Sequence, residues 1–381
     1  MKKNILHVVN VYFVLPYFIG EQFLYFNARN YKMHVVCSPS EYLQDYSKKM
    51  EFNYLEVKIV REINPFKDFI ALITICNYIH KNSIDIVVGH TPKGALLAMM
   101  AAWIMRVPRR IYFRHGLVYE TMKGFKRAFM INMDRLCSAC STQIVNVSHH
   151  VQTESLKDKL NSKQKQIILG NGTCGGIDAL SKFDPMKISV EKASQLRNSL
   201  GLKPNEFVIG FCGRLVTDKG IIELVEAFDL IKHQSSVKHK LVLVGDFEKR
   251  DSLPQKTIDK INSDIDIIVT GFIFNDIEYY YSLMNLYILP SYREGFGMSV
   301  LEASSMQIPV LTTGHSGSKH SIIEGKTGFY IINSVESIFE GIISLRDNPD
   351  ILAFGVNGRK FVLEKFDNRI LWPIIEKELF Q

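Results

Sequence analysis

The sequence predicts an α/β protein of two doubly wound domains, each built around a parallel β-sheet. Three observations support this prediction. Short apolar, β-branched runs alternate with longer helical patterns. A glycine-rich stretch interrupts that alternation near residue 170, and the net charge changes sign at the same place. The length of 381 residues also suits two domains.

In the first half, the predicted strands are apolar runs without polar alternation, which is typical of strands buried on both faces of a parallel sheet. They are Ile5–Val9, His34–Cys37, Ile84–Gly89, Arg110–Phe113 and Gln143–Val147. The helices predicted between them include Phe66–Lys81, Gly94–Met105 and Met122–Ser138. The apolar N-terminus is interpreted as a first strand and loop, because no signal-peptide cleavage site follows it.

In the second half, the same alternation restarts after about residue 205. The predicted strands are Phe207–Phe211, Lys240–Val244, Ile265–Thr270, Leu286–Leu289 and Val310–Thr312. The predicted helices include Ile221–His233, Asp276–Met284 and Ser299–Met306. We therefore expect a second parallel sheet.

The division between the domains is predicted at Gly170–Gly176, where four of seven residues are glycine and a helix is disfavoured. We expect a first domain over 1–170, a linker over 171–204, a second domain over 205–360 and a final helix over 361–381 that could cross back to the first. Ligands of such sheets bind beyond the carboxyl ends of the strands. A cleft between two such domains is the expected location of the site.

The charge is unevenly distributed along the chain. Residues 1–170 carry 11 more basic than acidic side chains, whereas residues 171–381 carry 4 more acidic than basic ones. A basic half suggests an acidic partner such as a nucleic acid, a phosphorylated substrate or an anionic membrane. No apolar run reaches the ~18 residues of a membrane span.

The cysteine content excludes a disulfide scaffold, because six cysteines in 381 residues are too few. Cys137 and Cys140 form one C-x2-C pair, but no second pair stands at zinc-site spacing. They are interpreted as buried small residues, and a reducing cytoplasm is the consistent compartment.

The strongest functional motif is Glu294–Glu302, which follows a predicted strand and opens a helix. Glycines at 295 and 297 allow close approach of a ligand to the backbone. A helix start favours phosphate, and nearby carboxylates are good acceptors for sugar hydroxyls. This motif predicts a ligand that contains both sugar and phosphate.

The second motif is Gly213–Gly220, just after the strand predicted at Phe207–Phe211. Arg214 and Lys219 flank a turn at the start of the next helix. An arginine fork and a lysine point charge can bind one diphosphate together.

Together these motifs resemble the retaining glycosyltransferases of family 4, which have the GT-B fold of two Rossmann-like domains facing a central cleft. The matching stretches are GRLVTDKG, EGFGMSVLE, Thr270–Phe272 and Glu324–Phe329, in the family's order. In the first half, Val88–Lys93 and Phe113–Gly116 resemble stretches of members that build bacterial surface polysaccharides. Lys165–Asp178 is similar to the family's interdomain connection.

The resemblance implies a donor site. Arg214 and Lys219 would bind the diphosphate of a nucleotide sugar, and Glu294 would hold a hydroxyl of its sugar. The remaining implied donor-binding residues are Gly20, Gly271, Phe272, Phe296, Gly297, Met298, Ser299 and Glu302. Among these, Glu302 would accept hydrogen bonds from ribose, and the base would lie against Gly271 and Phe272. Many members have two glycines where this chain has Ile19-Gly20, so Gly20 alone would allow the approach to the phosphates.

The resemblance also implies residues in the first domain. His115 follows a strand and would face the transferred sugar, so that His115, Glu294, Arg214 and Lys219 form the expected catalytic set. His90 and Lys93 are candidates for the acceptor side, with helix capping and packing as the alternative. No metal site is expected.

The function implied is transfer of a sugar, an N-acetylhexosamine or hexose, from a nucleotide sugar with retention of configuration and without metal or cofactor. UDP is the expected nucleotide, and the expected acceptor is a lipid-linked saccharide in O-antigen or capsule synthesis. The alternatives are a sugar-nucleotide 2-epimerase of related fold and a non-catalytic sugar-nucleotide-binding protein. A nucleic-acid partner would leave the carboxylates of the second half unexplained.

We further expect a cytoplasmic protein attached peripherally to the inner face of the cell membrane. Between Lys123 and Arg135, basic residues alternate with apolar ones. This pattern is typical of an amphipathic helix on an anionic membrane. The alternative is a helix packed on the core with a solvated basic face.

Overall fold

The computed structural model describes residues 2–60, 62–248 and 251–381, and they form two units. The first unit consists of the chain up to Gly176 together with Arg369–Gln381, and the second of Ile177–Asn368. Each unit is a parallel β-sheet with connecting helices.

The first sheet has the strand order β3-β2-β1-β4-β5-β6-β7, and neighbouring strands are parallel. Its strands are β1 (Lys3–Val8), β2 (Tyr31–Cys37), β3 (Asn53–Glu56), β4 (Ile86–Gly89), β5 (Arg109–Arg114), β6 (Gln143–Asn146) and β7 (Gln166–Ile167). The order reverses direction at β1, with β4 as its other neighbour. The carboxyl ends of β1, β4 and β5 therefore lie side by side.

The helices of the first unit cover this sheet. They are α1 (Gln22–Asn27), α2 (Leu43–Met50), α3 (Pro65–Lys81), α4 (Pro92–Ile104), α5 (Gly124–Cys140) and α6 (His149–Lys157). Helix α3 begins where the sequence favours it, with Pro65 in the first turn and the Asn64 side chain accepting from the Lys67 amide at 3.0 Å. Helix α4 is apolar all round and is largely buried, as expected of a central helix.

The second sheet has the order β10-β9-β8-β11-β12-β13, again parallel. The second unit contains α7 (Val190–Ser199), β8 (Phe207–Cys212), α8 (Ile221–Gln234), β9 (His239–Val244), α9 (Gln255–Ser263), β10 (Ile267–Val269), α10 (Ile277–Ser282), β11 (Leu286–Leu289), α11 (Met298–Ser305), β12 (Val310–Thr313), β13 (Gly328–Ile331), α12 (Val335–Arg346) and α13 (Ile351–Lys365). Helix α14 (Asn368–Ile375) follows.

The chain ends within the first unit. Phe380 packs against Phe26 with ring centroids 4.8 Å apart, and its carbonyl accepts from Lys3 Nζ at 2.8 Å. Trp372 Nε1 donates to the Gly175 carbonyl at 2.8 Å. The stretch predicted as linker over 171–204 contains α7, which belongs to the second unit.

The predicted fold class is confirmed, and each predicted strand is found with its ends shifted by at most three residues. Strands β3, β7 and β13 were not predicted, and all three lie at a sheet edge. Cys137 and Cys140 are free and buried, as expected. Within the described ranges, no helix combines the length and apolarity that crossing a membrane requires.

Candidate active site

Two loops of the second unit meet at the carboxyl ends of adjacent strands β8 and β11. The loop after β8 contains a helical turn, Thr217–Lys219, followed by Gly220 in a left-handed conformation with φ of 70°. A Cβ on Gly220 would overlap the carbonyl oxygen of Pro290, the residue that follows β11. Glycine is therefore required for the turn to pack against the loop after β11.

This packing places Lys219 against Glu294. The Lys219 ammonium lies 2.5 Å from Glu294 Oε1, and Ser291 Oγ donates to the same oxygen at 2.9 Å. Both charged side chains are largely buried, with exposed fractions of 14% and 15%. A second ion pair, Arg293 with Asp218 at 2.8 Å, joins the same two loops. The two predicted motifs thus form one charged cluster.

Arg214 lies at the start of the same loop and is half-exposed. Its guanidinium donates to Glu248 Oε2 at 3.1 Å. Because exposed ion pairs are weak, this contact leaves the guanidinium able to exchange its partner for another anion.

Helix α11 begins at the end of the Glu294 loop. Gly297 precedes it with φ of 87°, and the Val300 amide donates to its carbonyl at 3.1 Å. A Cβ on Gly317 would overlap the Gly295 carbonyl, so a second glycine packs closely on this loop. The first amides of a helix have no partner inside it, so the start at Met298 and Ser299 is suited to an anion. The Phe296 ring is buried against Phe366, which leaves only its backbone for a ligand.

Glu302 lies in the second turn of α11 and is buried. Its Oε2 accepts from the Tyr281 hydroxyl at 2.7 Å. Burial raises the pKa of Glu302 above its usual value, while the Tyr281 hydrogen bond acts in the opposite direction. A buried carboxylate with one fixed donor is well placed to accept a further hydroxyl.

Gly271 and Phe272 follow β10. Gly271 has φ of 73° and pairs with Gly245 in an isolated bridge. The Phe272 ring is more than half exposed and contacts Phe274 edge to face. The pair therefore presents a backbone surface beside an exposed aromatic ring.

In the first unit, three histidines lie at the carboxyl ends of β1, β4 and β5. His90 follows β4 and His115 follows β5, and His90 Nδ1 is 2.9 Å from His115 Nε2. His7, inside β1, places Nδ1 3.0 Å from His90 Nε2. Phe18 stacks on His115 with ring centroids 4.3 Å apart. Gly20 follows Phe18 by two residues and ends a π-helical turn with φ of 56°.

Lys93 is held by α3. Its ammonium lies 2.7 Å from Asp68 Oδ1 and also donates to the Glu62 carbonyl. This pairing ties the start of α4 to α3, which fits the packing alternative better than the acceptor-side role.

Several residues of these sites were not predicted from the sequence. They are the partners Ser291, Tyr281 and Glu248, and His7. His7 is the one that carried a signal, because a histidine inside an apolar strand needs a polar partner. Among the residues described, no group of three His, Cys, Asp or Glu side chains is arranged to hold a metal ion.

Comparison with known proteins agrees with this architecture. Residues 192–361 match the family model of glycosyl transferases group 1, and residues 5–148 match the glycosyl transferase 4-like model. The chain is similar to a glycosyltransferase from Rickettsia africae (21% identity, TM-score 0.78, covering 100% of this chain and 99% of that one). It is also similar to Anabaena Alr3699/HepE, solved in complex with UDP and glucose (17% identity, TM-score 0.80, covering 100% and 99%). The fold is GT-B.

Relatives with similar sequences show which family the chain belongs to. The chain is 30% identical over 376 residues to the capsular polysaccharide biosynthesis glycosyltransferase CapM of Staphylococcus aureus, covering 98% of this chain and 96% of CapM. It is 24% identical over 340 residues to an Escherichia coli UDP-Gal:alpha-D-GlcNAc-diphosphoundecaprenol alpha-1,3-galactosyltransferase, covering 88% and 86%. This chain belongs to the group 1, family-4-like glycosyltransferases.

Proposed function

We propose that this glycosyltransferase moves a sugar from a UDP-sugar to a lipid-linked saccharide, with retention of configuration, in the synthesis of a bacterial surface polysaccharide. The Lys219–Glu294 pair at the start of α11 is the observation that supports the proposal most directly. It combines a cation for a diphosphate, a carboxylate for a sugar hydroxyl and a helix start within one pair of loops.

The donor proposal rests on this chemistry and on two relatives. Phe272 and the backbone of Gly271 offer a surface for a base, and buried Glu302 offers an acceptor for ribose hydroxyls. HepE was solved with UDP, and the Escherichia coli relative is named for a UDP-galactose donor. We therefore propose UDP as the nucleotide, with a hexose or N-acetylhexosamine as its sugar.

The acceptor proposal rests on the relatives' names. CapM is named for capsular polysaccharide biosynthesis, and the Escherichia coli enzyme for transfer to a diphosphoundecaprenol-linked sugar. A lipid-linked saccharide diphosphate would also match the basic first half of the chain.

In the proposed mechanism, negative charge develops on the leaving diphosphate as the glycosidic bond breaks. Arg214, Lys219 and the amides at the start of α11 stabilise that charge, and such fixed electrostatic stabilisation is usually a large catalytic effect. No metal is required for it. The acceptor attacks from the face of the leaving group, and a donor phosphate oxygen takes its proton. Glu294 binds a sugar hydroxyl, so trapping a glycosyl adduct on Glu294 would contradict this route.

The first test is a donor and acceptor assay with purified protein. We expect one UDP-sugar among UDP-, GDP- and dTDP-sugars to release its nucleotide only when a lipid-linked acceptor is present. The product should retain the anomeric configuration of the donor, measured by NMR. A donor epimerised without acceptor would instead identify a 2-epimerase, and donor binding without turnover a binding protein.

We further propose that the first unit attaches to the inner face of the cell membrane. Exposed apolar side chains line α3 at helical spacing: Phe66, Phe69, Ile70 and Ile73 have exposed fractions between 44% and 74%. We call these four residues the α3 ridge. On α5, the Phe125 ring is exposed between the exposed Lys123 and Lys126, whereas Ile131 is buried in the core. Anionic membranes bind surfaces that combine exposed apolar side chains, such as the α3 ridge, with nearby cations.

Vesicle binding tests this attachment. We expect the protein to sediment with vesicles that contain phosphatidylglycerol at low salt and to be released at high salt, because salt screens the lysines. Phe66→Ser/Phe69→Ser should reduce the bound fraction severalfold. Ile265→Ser, which alters an even more exposed apolar side chain of the second unit, should not change the bound fraction. Equal sedimentation with neutral and anionic vesicles would contradict the proposal.

A further inference from the structure

Three imidazoles form a continuous chain of hydrogen bonds across adjacent strands of the first sheet. His7 Nδ1 lies 3.0 Å from His90 Nε2, and His90 Nδ1 lies 2.9 Å from His115 Nε2. The rings are nearly parallel, with centroids 5.3 Å and 5.2 Å apart. Each neighbouring pair of rings is therefore joined by one proton, which is bonded to one ring and faces the lone pair of the other.

This histidine chain is uncharged, and its two end nitrogens have no protein partners. Burial lowers the pKa of His7 and of His115 to about 3, and lowers the pKa of His90 well below its usual value, with smaller contributions from its two neighbours. His7 Nε2 and His115 Nδ1 are buried, and neither has a hydrogen-bond partner among the described residues. At neutral pH each ring thus carries one N–H and one lone pair.

These constraints leave two arrangements of protons. Each link needs one N–H facing one lone pair, so all three protons reside on Nδ1 or all three on Nε2. In the first arrangement, the N–H left over is at His115 Nδ1. In the second, it is at His7 Nε2. One end of the chain therefore always carries an unpaired N–H.

The surroundings of the two ends favour the first arrangement. An unpaired buried N–H is less tolerated than an unpaired acceptor. His7 lies inside β1 and is almost fully buried, with Phe23 as an aromatic neighbour 5.7 Å away. His115 follows the end of β5 and is half-buried as a residue, although its Nδ1 atom is itself covered. A ligand that displaces this cover can satisfy an N–H at His115, whereas His7 is enclosed inside the sheet.

We propose that His7 and His90 are positioning residues that hold His115 in the Nδ1–H tautomer, so that His115 donates a hydrogen bond to an oxygen of a substrate bound at the carboxyl end of β5. That a substrate binds there rests on the proposed function, whereas the shared tautomer follows from the histidine chain alone. Phe18, stacked on His115, fixes the plane of the ring and hence the direction of that donation.

The tautomer is read directly by ¹⁵N NMR of full-length protein labelled at histidine. We expect the three imidazoles to give Nδ1–H shift patterns with and without UDP-sugar. Nε2–H patterns, or different tautomers on the three rings, would overturn the proposal. Since this measurement needs no turnover, it remains decisive if no sugar is transferred.

Variants at His7 test the consequence for transfer. His7→Leu should shift His115 away from a pure Nδ1–H pattern and lower kcat/KM about tenfold, the effect of one neutral hydrogen bond. His7→Asn should restore both the Nδ1–H pattern of His115 and kcat/KM, because an amide can occupy the Nδ1 position and donate to His90. His34→Leu is the matched control: His34 is buried in neighbouring β2 and bonded to Tyr78 at 3.0 Å, so its loss should leave the His115 spectrum unchanged. An unchanged His115 spectrum in His7→Leu, or no recovery in His7→Asn, would overturn the proposal.

Discussion

Replacing Lys219 with alanine is expected to lower kcat for sugar transfer by about 10²–10³-fold, as loss of a group that stabilises developing charge does. The change also leaves the Glu294 carboxylate without its cation, 2.5 Å from where the ammonium stood. An unpaired carboxylate destabilises the negative charge that develops on the diphosphate. The loss of activity therefore has two sources, the missing cation and the unpaired carboxylate. Single-turnover measurement of nucleotide release checks the effect on the chemical step.

A double-mutant cycle separates those two sources. Glu294→Ala should also remove most activity, but Lys219→Ala/Glu294→Ala should lose less than the product of the single losses, because the two groups act as a unit. Lys232→Ala is the matched control: Lys232 lies in the last turn of α8 and pairs with Asp264 at 2.6 Å. It should transfer like the wild type. Fully multiplicative single losses, or normal turnover in Lys219→Ala, would contradict the assignment.

The fold was largely predictable because strands buried on both faces leave an unmistakable apolar run. Strands β1, β4 and β11 are such runs. The unpredicted β3 is an edge strand, which pairs on one side only and tolerates polar side chains. In β3, Asn53 and Glu56 are exposed and the residues between them half-buried. Local hydrophobicity therefore carries little information for this strand.

The members of the charged cluster were predicted as site residues one by one, but their contact with each other was not. Lys219 and Glu294 belong to motifs 75 residues apart, and local patterns do not reveal that β8 and β11 are neighbours. Once the strand order is known, their contact follows from the loops at adjacent carboxyl ends. The Lys219 ammonium, which we expect to bind the donor diphosphate, neutralises Glu294 in this structure.

The histidine chain illustrates the same limit in the first unit. His90 and His115 were both assigned to strand ends, yet separately. His7 lies within the apolar run of the first predicted strand and was not assigned a role, although buried polar groups require partners. The order β1-β4-β5 brings the three together. Strand order is thus the information that the sequence lacked in both units.

Arg114, next to His115, has a different role: it is fully buried and holds β5 to α5. Its guanidinium lies 2.7 Å from Asp134 Oδ1. Neutral acceptors complete its surroundings: Asn146 at 3.0 Å, Ser138 at 3.0 Å and Asn161 at 3.1 Å. The charge of this arginine is balanced by one carboxylate, so the stability of the first unit should depend on that carboxylate.

Asp134→Ala is expected to destabilise the first unit by about 3–5 kcal/mol, because it leaves a buried cation without a counter-charge. Urea unfolding followed by tryptophan fluorescence measures this unit selectively, since the chain's two tryptophans, Trp103 and Trp372, both belong to it.

Asp158→Ala is the matched control. It breaks the Arg127–Asp158 pair, which has the same 2.7 Å separation but a part-exposed arginine, and should cost less than about 1 kcal/mol. Arg114→Met/Asp134→Leu removes the buried charge together with its partner. It should lower the free energy of unfolding by less than Asp134→Ala alone. Equal losses in Asp134→Ala and Asp158→Ala would mean that burial of Arg114 does not set the cost, and that β5 is held by its apolar contacts instead.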